Sequence, residues 1–191
     1  MSAADKHATV YRRLASNTFG VMMLALAVLV TVETLVRKIW SVSIGGVDEL
    51  AGYSIALGAP LAFAVTLLDR SHIRINLVYL FMRHRLKAWM DFLSVASIGI
   101  LSIFLFGFTV KTVLETQTYQ SLAQTPWATP LIYPQSLWLV AMVVFLLPAL
   151  WLPLRAGVML WRGQTQALSE TFGPDTPEEE LKAELEDLKR R

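Results

Sequence analysis

The sequence contains no cysteine among its 191 residues. Disulfide frameworks, thiolate metal centres and thiol nucleophiles are thereby excluded. Histidine is nearly as scarce. His7, His72 and His84 are the only three, and none lies inside an apolar run, so a haem held between membrane helices would lack axial ligands. Charge is thin as well: Asp, Glu, Lys and Arg make up 17% of the chain, against roughly 25% in an ordinary soluble domain. No HExxH, GxSxG or Walker A sequence occurs, and no group of carboxylates has metal-ligand spacing. The expectation is a protein that is not an enzyme, with no cofactor, no metal and no nucleic-acid partner.

What the chain has instead is apolar length, 54% of its residues being hydrophobic. Leu50 to Leu68 carries no charged side chain over nineteen positions, close to the roughly 20 residues that let a helix cross a hydrocarbon core. A first span reads from about Thr18 to Trp40. Its polar opening with Lys6, Arg12 and Arg13 is like that of a signal peptide, yet Glu33, Thr34, Leu35, Val36 and Arg37 follow it rather than a small-residue cleavage site. Phe92 to Val110 and Leu137 to Leu154 make a third and a fourth span. The fold class expected is an all-α integral membrane protein of four transmembrane helices. Residues 1–17 form an N-terminal segment, 18–162 the membrane domain and 163–191 a charged tail.

Basic residues orient the spans. On one side lie Lys6, Arg12, Arg13, Arg70, Arg74, Arg83, Arg85, Lys87, Arg155 and Arg162, and on the other only Arg37, Lys38 and Lys111. By the positive-inside rule this places both termini and the elbow after the second span in the cytoplasm. In that elbow Ile75, Val78, Tyr79, Met82, Leu86, Trp89 and Met90 recur at helical spacing, with Asn76, Arg83 and Lys87 opposite. The pattern predicts an amphipathic interfacial helix whose basic residues, together with Arg70, His72 and Arg74, face lipid phosphates. The alternative is an ordinary loop helix packed under the bundle.

A charge at mid-membrane depth costs about 2.5–3.5 kcal/mol on insertion scales, so the few polar groups near the spans stand out. Glu33 and Arg37 are spaced i,i+4 late in the first span, and Asp48 and Glu49 open the second. The four read as a structural ion-pair cluster or partner interface at the outer membrane surface, in preference to a transport site, because the region is shallow. Ser54, Gly58 and Ala62 repeat every four residues as a helix-contact stripe, although small residues are common in membrane helices anyway. Pro126, Pro130 and Pro134 with Trp127 and Tyr133 suggest a fixed surface loop. In the tail, Thr176-Pro177-Glu178-Glu179 predicts a short charged helix, either solvated or docked through Leu181, Leu185 and Leu188.

Four spans with both ends inside, Arg37 late in the first, Val47-Asp48-Glu49-Leu50-Ala51 opening the second and His72-Ile73-Arg74-Ile75-Asn76-Leu77 at its exit resemble the small permease subunit, DctQ-like, of tripartite ATP-independent periplasmic (TRAP) transporters. The resemblance extends over about Asn17 to Arg162, with Asn76 where the family often has Asp. It implies a non-catalytic subunit of the bacterial inner membrane. Its partners would be a large permease and, through the complex, a periplasmic substrate-binding protein, with membrane lipids around it. The resemblance further implies that the small subunit braces the large one during sodium-coupled uptake of solutes such as organic acids. The competing reading is an autonomous small transporter or channel, which would need polar groups spread along several spans.

Overall fold

A computed structural model describes residues 3–69, 79, 82–174, 185 and 188. The described residues are helical apart from short connections. α1 is Ala3–Trp40, α2 Val47–Leu68, α3 His84–Tyr119, α4 Ile132–Trp161 and α5 Thr165–Phe172. The first four contain stretches long and apolar enough to cross a membrane. Each outruns the span expected from hydropathy; at the edges of the apolar runs of α1 and α3 no helix breaker stands, whereas α4 runs on through Pro134 and Pro153. α1 continues back to Ala3 through Ala, Lys, Tyr, Arg and Leu, with no glycine or proline before Gly20. α3 starts eight residues before Phe92 and ends nine after Val110.

That early start corrects the elbow. Arg85, Leu86, Lys87, Trp89 and Met90 are the first turns of α3 rather than part of an interfacial helix. Met82 and Arg83 are not helical, and the Arg83 carbonyl accepts the Leu86 and Lys87 amides at 2.8 and 3.0 Å, as a helix start does. A single helix from Ile75 to Met90 is therefore broken. Arg70, His72, Arg74, Ile75, Asn76 and Val78 lie outside the described residues, as does most of the expected tail helix. α5, Thr165–Phe172, is an addition: it lies at the start of the 163–191 tail, ahead of the expected tail helix.

The helix ends are closed by backbone geometry. Gly163, at φ +70°, follows α4, with its amide on Leu160 O and the Gln164 amide on Met159 O, both at 3.0 Å; this paired arrangement satisfies the last carbonyls. α3 ends in the same way on a non-glycine residue, Gln120 at φ +51°, with Ser121 N–H on Thr116 O. Inside the helices, hydroxyls are returned to their own backbone: Thr31 to Ala27, Thr34 to Val30, Thr66 to Ala62, Ser102 to Gly99 and Thr109 to Leu105. Such bonds let polar side chains reside in a span at little cost.

The chain divides into two compact units, residues 1–71 with 98–151 and residues 72–97 with 152–191. In the first, α2 packs along α1: a Cβ added at buried Gly58 would lie 2.7 Å from the Met23 methyl carbon and 3.1 Å from atoms of Met22 and Phe19. Phe63 of α2 meets Phe145 of α4 with ring centroids 5.9 Å apart. The core of the second unit is Ala88, Val95, Ala156, Leu168 and Phe172, flanked by Phe92, Leu152, Met159 and Leu160. α5 thus closes back on the start of α3 and the end of α4.

Candidate functional site

Two buried carboxylates fix the connections of the first unit. Glu33, about two turns before the end of α1, is only 4% exposed. Its Oε1 accepts from Arg37 Nη2 at 2.7 Å, Arg37 Nε at 3.1 Å and Ser43 Oγ at 2.7 Å, while Oε2 accepts the Ile44 amide at 2.9 Å. Ser43 in turn accepts the Gly45 amide at 3.2 Å. The loop after α1 is therefore tied to the helix it leaves. Arg37 is the open side of this arrangement, its side chain being 58% exposed.

Glu49 is 6% exposed in the first turn of α2, where the helix dipole favours a negative charge. It accepts the Tyr53 hydroxyl at 2.6 Å and the hydroxyl of Thr125, 76 positions away in the 120–131 connection. That connection is itself laced by Ala123 N–H on Thr129 O, Leu131 N–H on Ser121 O and Ala128 N–H on Thr125 O. Trp127 completes the joint. A Cβ on Gly46 would lie 2.3–2.7 Å from three of its ring atoms, so the indole rests on bare backbone. Gly46 also stands at φ +71°, a conformation for which glycine is suited.

The expected cluster of Glu33, Arg37, Asp48 and Glu49 is thus resolved into separate arrangements. Glu33 holds Arg37, Glu49 holds neutral hydroxyls, and Asp48 is exposed beside them. The physical reason is competition: Ser43 and Ile44 saturate Glu33, and Glu49 takes the hydroxyls of Tyr53 on its own helix and Thr125 in the loop. Of the stripe, Gly58 is buried against α1, while Ser54 and Ala62 are half-buried. Arg83 and Arg85 are exposed and Lys87 is partly covered, its Nζ 5.1 Å from the ring centre of Tyr79.

Asp91, which sequence reasoning passed over, is 2% exposed and accepts the Tyr79 hydroxyl at 2.8 Å. Its signal was available: a lone carboxylate between Met90 and Phe92 at the foot of a span. Within the same unit, a Cβ on Gly173 would lie 3.0 Å from that hydroxyl, so the end of α5 abuts Tyr79. Among the described residues no group of His, Asp and Glu could hold a metal ion.

These arrangements tie helix ends and loops together. Neither the curated proteins nor the solved structures yield a match. Residues 26–156, from within α1 to within α4, match the family model described as tripartite ATP-independent periplasmic transporters, DctQ component. With four membrane-capable helices that this match reaches, two of them in part, the chain belongs to the DctQ family, the small membrane subunits of TRAP transporters.

Proposed function

We propose that the chain is a non-catalytic brace in the bacterial inner membrane. It holds a large permease subunit in place while that subunit carries out sodium-coupled uptake of solutes, organic acids among them, delivered by a periplasmic substrate-binding protein. The observation that carries the reading is where the polar groups go. Glu33 and Glu49 spend their hydrogen bonds on the chain's own loops and helices, and the hydroxyls of the spans turn to their own helices. A solute or ion path needs polar groups free to exchange partners across the membrane. The long sides of the helices meanwhile present apolar surface: Leu14, Val21, Val28 and Leu35 of α1 and Leu137, Leu147, Trp151 and Leu154 of α4 are exposed. This suits a scaffold covered by lipid and by a partner's helices.

In this reading both termini are cytoplasmic. The carboxylate-tied loops stiffen the outer surface, the Ser54, Gly58 and Ala62 stripe seats α2 on a neighbour, and Arg70, His72, Arg74, Arg83, Arg85 and Lys87 hold the elbow at lipid phosphates. Co-expression with the large permease tests assembly. The chain should co-purify with it in stoichiometric amount, and uptake should require both. Full uptake by the large permease without this chain would refute the brace. Cysteines placed at Gln166 and Gln124 in the cysteine-free chain test orientation: an impermeant reagent should label only Gln124→Cys in intact cells.

A further inference from the structure

The second unit places arginine and tryptophan together at one helix end. Ala88 and Phe92 of α3 pack with Ala156, Met159 and Leu160 of α4, and a Cβ on Gly157 would lie 3.4 Å from the Phe92 ring. The first turn of α3 and the last turns of α4 are therefore neighbours. Arg85 on α3 and Arg155 and Arg162 on α4 are all exposed, and no salt bridge joins them to any described residue. Arg85 and Trp89 are spaced i,i+4 on one face, and Trp89 stacks edge-on to Phe92 with centroids 6.1 Å apart. Trp161, beside Arg162, is 90% exposed, and Trp89 is 53% exposed. Arg155 and Arg162 are spaced i,i+7 on one face, about 10 Å apart along the axis.

We infer that this rim is a docking surface for the headgroups of acidic phospholipids. The charge is complementary: three guanidinium groups that no carboxylate among the described residues pairs with, each able to hold a phosphate in a two-bond fork. Tryptophan prefers the level where headgroup meets acyl chain, so the two indoles set the depth. Arg162 then meets the phosphates directly, and Arg155, deeper on the same face, extends its long side chain up to them. Exposed acidic competition within the described part of this unit is limited to Glu170 on α5, which accepts from Gln166, since Asp91 is buried on Tyr79. The inference deepens the lipid-anchoring part of the proposed function and does not depend on the bracing of a permease.

The test uses the full chain alone, purified in neutral detergent and mixed with equal amounts of phosphatidylcholine and phosphatidylglycerol. Bound lipid is counted by native mass spectrometry. Phosphatidylglycerol should be enriched several-fold over phosphatidylcholine, with each arginine contributing up to about fivefold at low salt, and the enrichment should fall as salt rises. R85Q, R155Q and R162Q, singly and together, should bring it toward unity with helix content unchanged. Lys38→Gln with Lys111→Gln, both exposed and outside this unit, should leave it intact. No enrichment by the unaltered chain, enrichment insensitive to salt, or full enrichment in the triple variant would each overturn the inference. In the first of these outcomes an acidic protein surface becomes the better occupant. None of these results bears on co-purification with the permease, so the two readings fail separately.

Discussion

The connections of the two compact units are fixed by different chemistry. In the first, the connections around α2 are tied by carboxylates, Glu33 to the 41–46 loop and Glu49 to the 120–131 loop. In the second, α5 is held by Leu168 and Phe172 in an apolar core, beside the hydrogen bond from Tyr79 to Asp91. Helix sides that face lipid gain little hydrophobic driving force from meeting one another, because hydrocarbon chains solvate them equally well. Specificity is therefore concentrated at helix ends. Loops are fixed there by charge-assisted hydrogen bonds, with Trp127 laid over Gly46, and an amphipathic helix is fixed by ordinary core packing.

Substitutions at the two places should separate these mechanisms. Phe172→Ala removes a large ring that is 4% exposed and should destabilise the second unit most, by about 3–5 kcal/mol. Limited proteolysis near α5 should accelerate while the 41–46 loop stays protected. Glu33→Ala should cost less, by leaving the Ile44 amide and Ser43, both in an exposed loop, without their acceptor. Hydrogen exchange should quicken at residues 43–45 and leave α5 unchanged. If either variant loosened both places equally, the units would not be independent and the contrast would fail.

Smaller changes sharpen the difference between the two carboxylates. Gly46→Ala must place a side chain at a left-handed φ, costing about 1–2 kcal/mol from backbone strain alone, and must displace Trp127 as well. Its tryptophan emission should shift toward that of a hydrated indole. Arg37→Ala should cost no more than about 1 kcal/mol, because the guanidinium is 58% exposed and Ser43 and Ile44 remain on Glu33. Lys111→Ala should change a thermal midpoint least, since its partner Glu115 is 3.7 Å away and both side chains are more than half exposed.

The apolar middles of α1 to α4 were legible because a bilayer demands length and lack of charge, and the sequence meets that demand four times. The polar extensions were not. His84 to Asp91 and Lys111 to Tyr119 have no hydropathy signal, and what makes them helical is the absence of glycine and proline. The elbow reading failed at this point, because helical spacing before and after Met82 cannot reveal that the chain breaks between. α5 offers two apolar anchors in eight residues, too few to register as a pattern. Of the site, the i,i+4 spacing of Glu33 and Arg37 was visible. The pairing of Glu49 with Thr125 was not, since nothing local links positions so far apart. Trp127 over Gly46 was half visible, as a turn signal and an aromatic whose meeting only the fold supplies.

The central claim is that this small subunit carries nothing across the membrane itself and acts through a partner. Its most direct test is uptake into liposomes under a sodium gradient, with the purified chain alone and then with the large permease and the binding protein. The account predicts no accumulation with the chain alone and accumulation when all three are present. Substrate accumulation driven by the chain alone would contradict it.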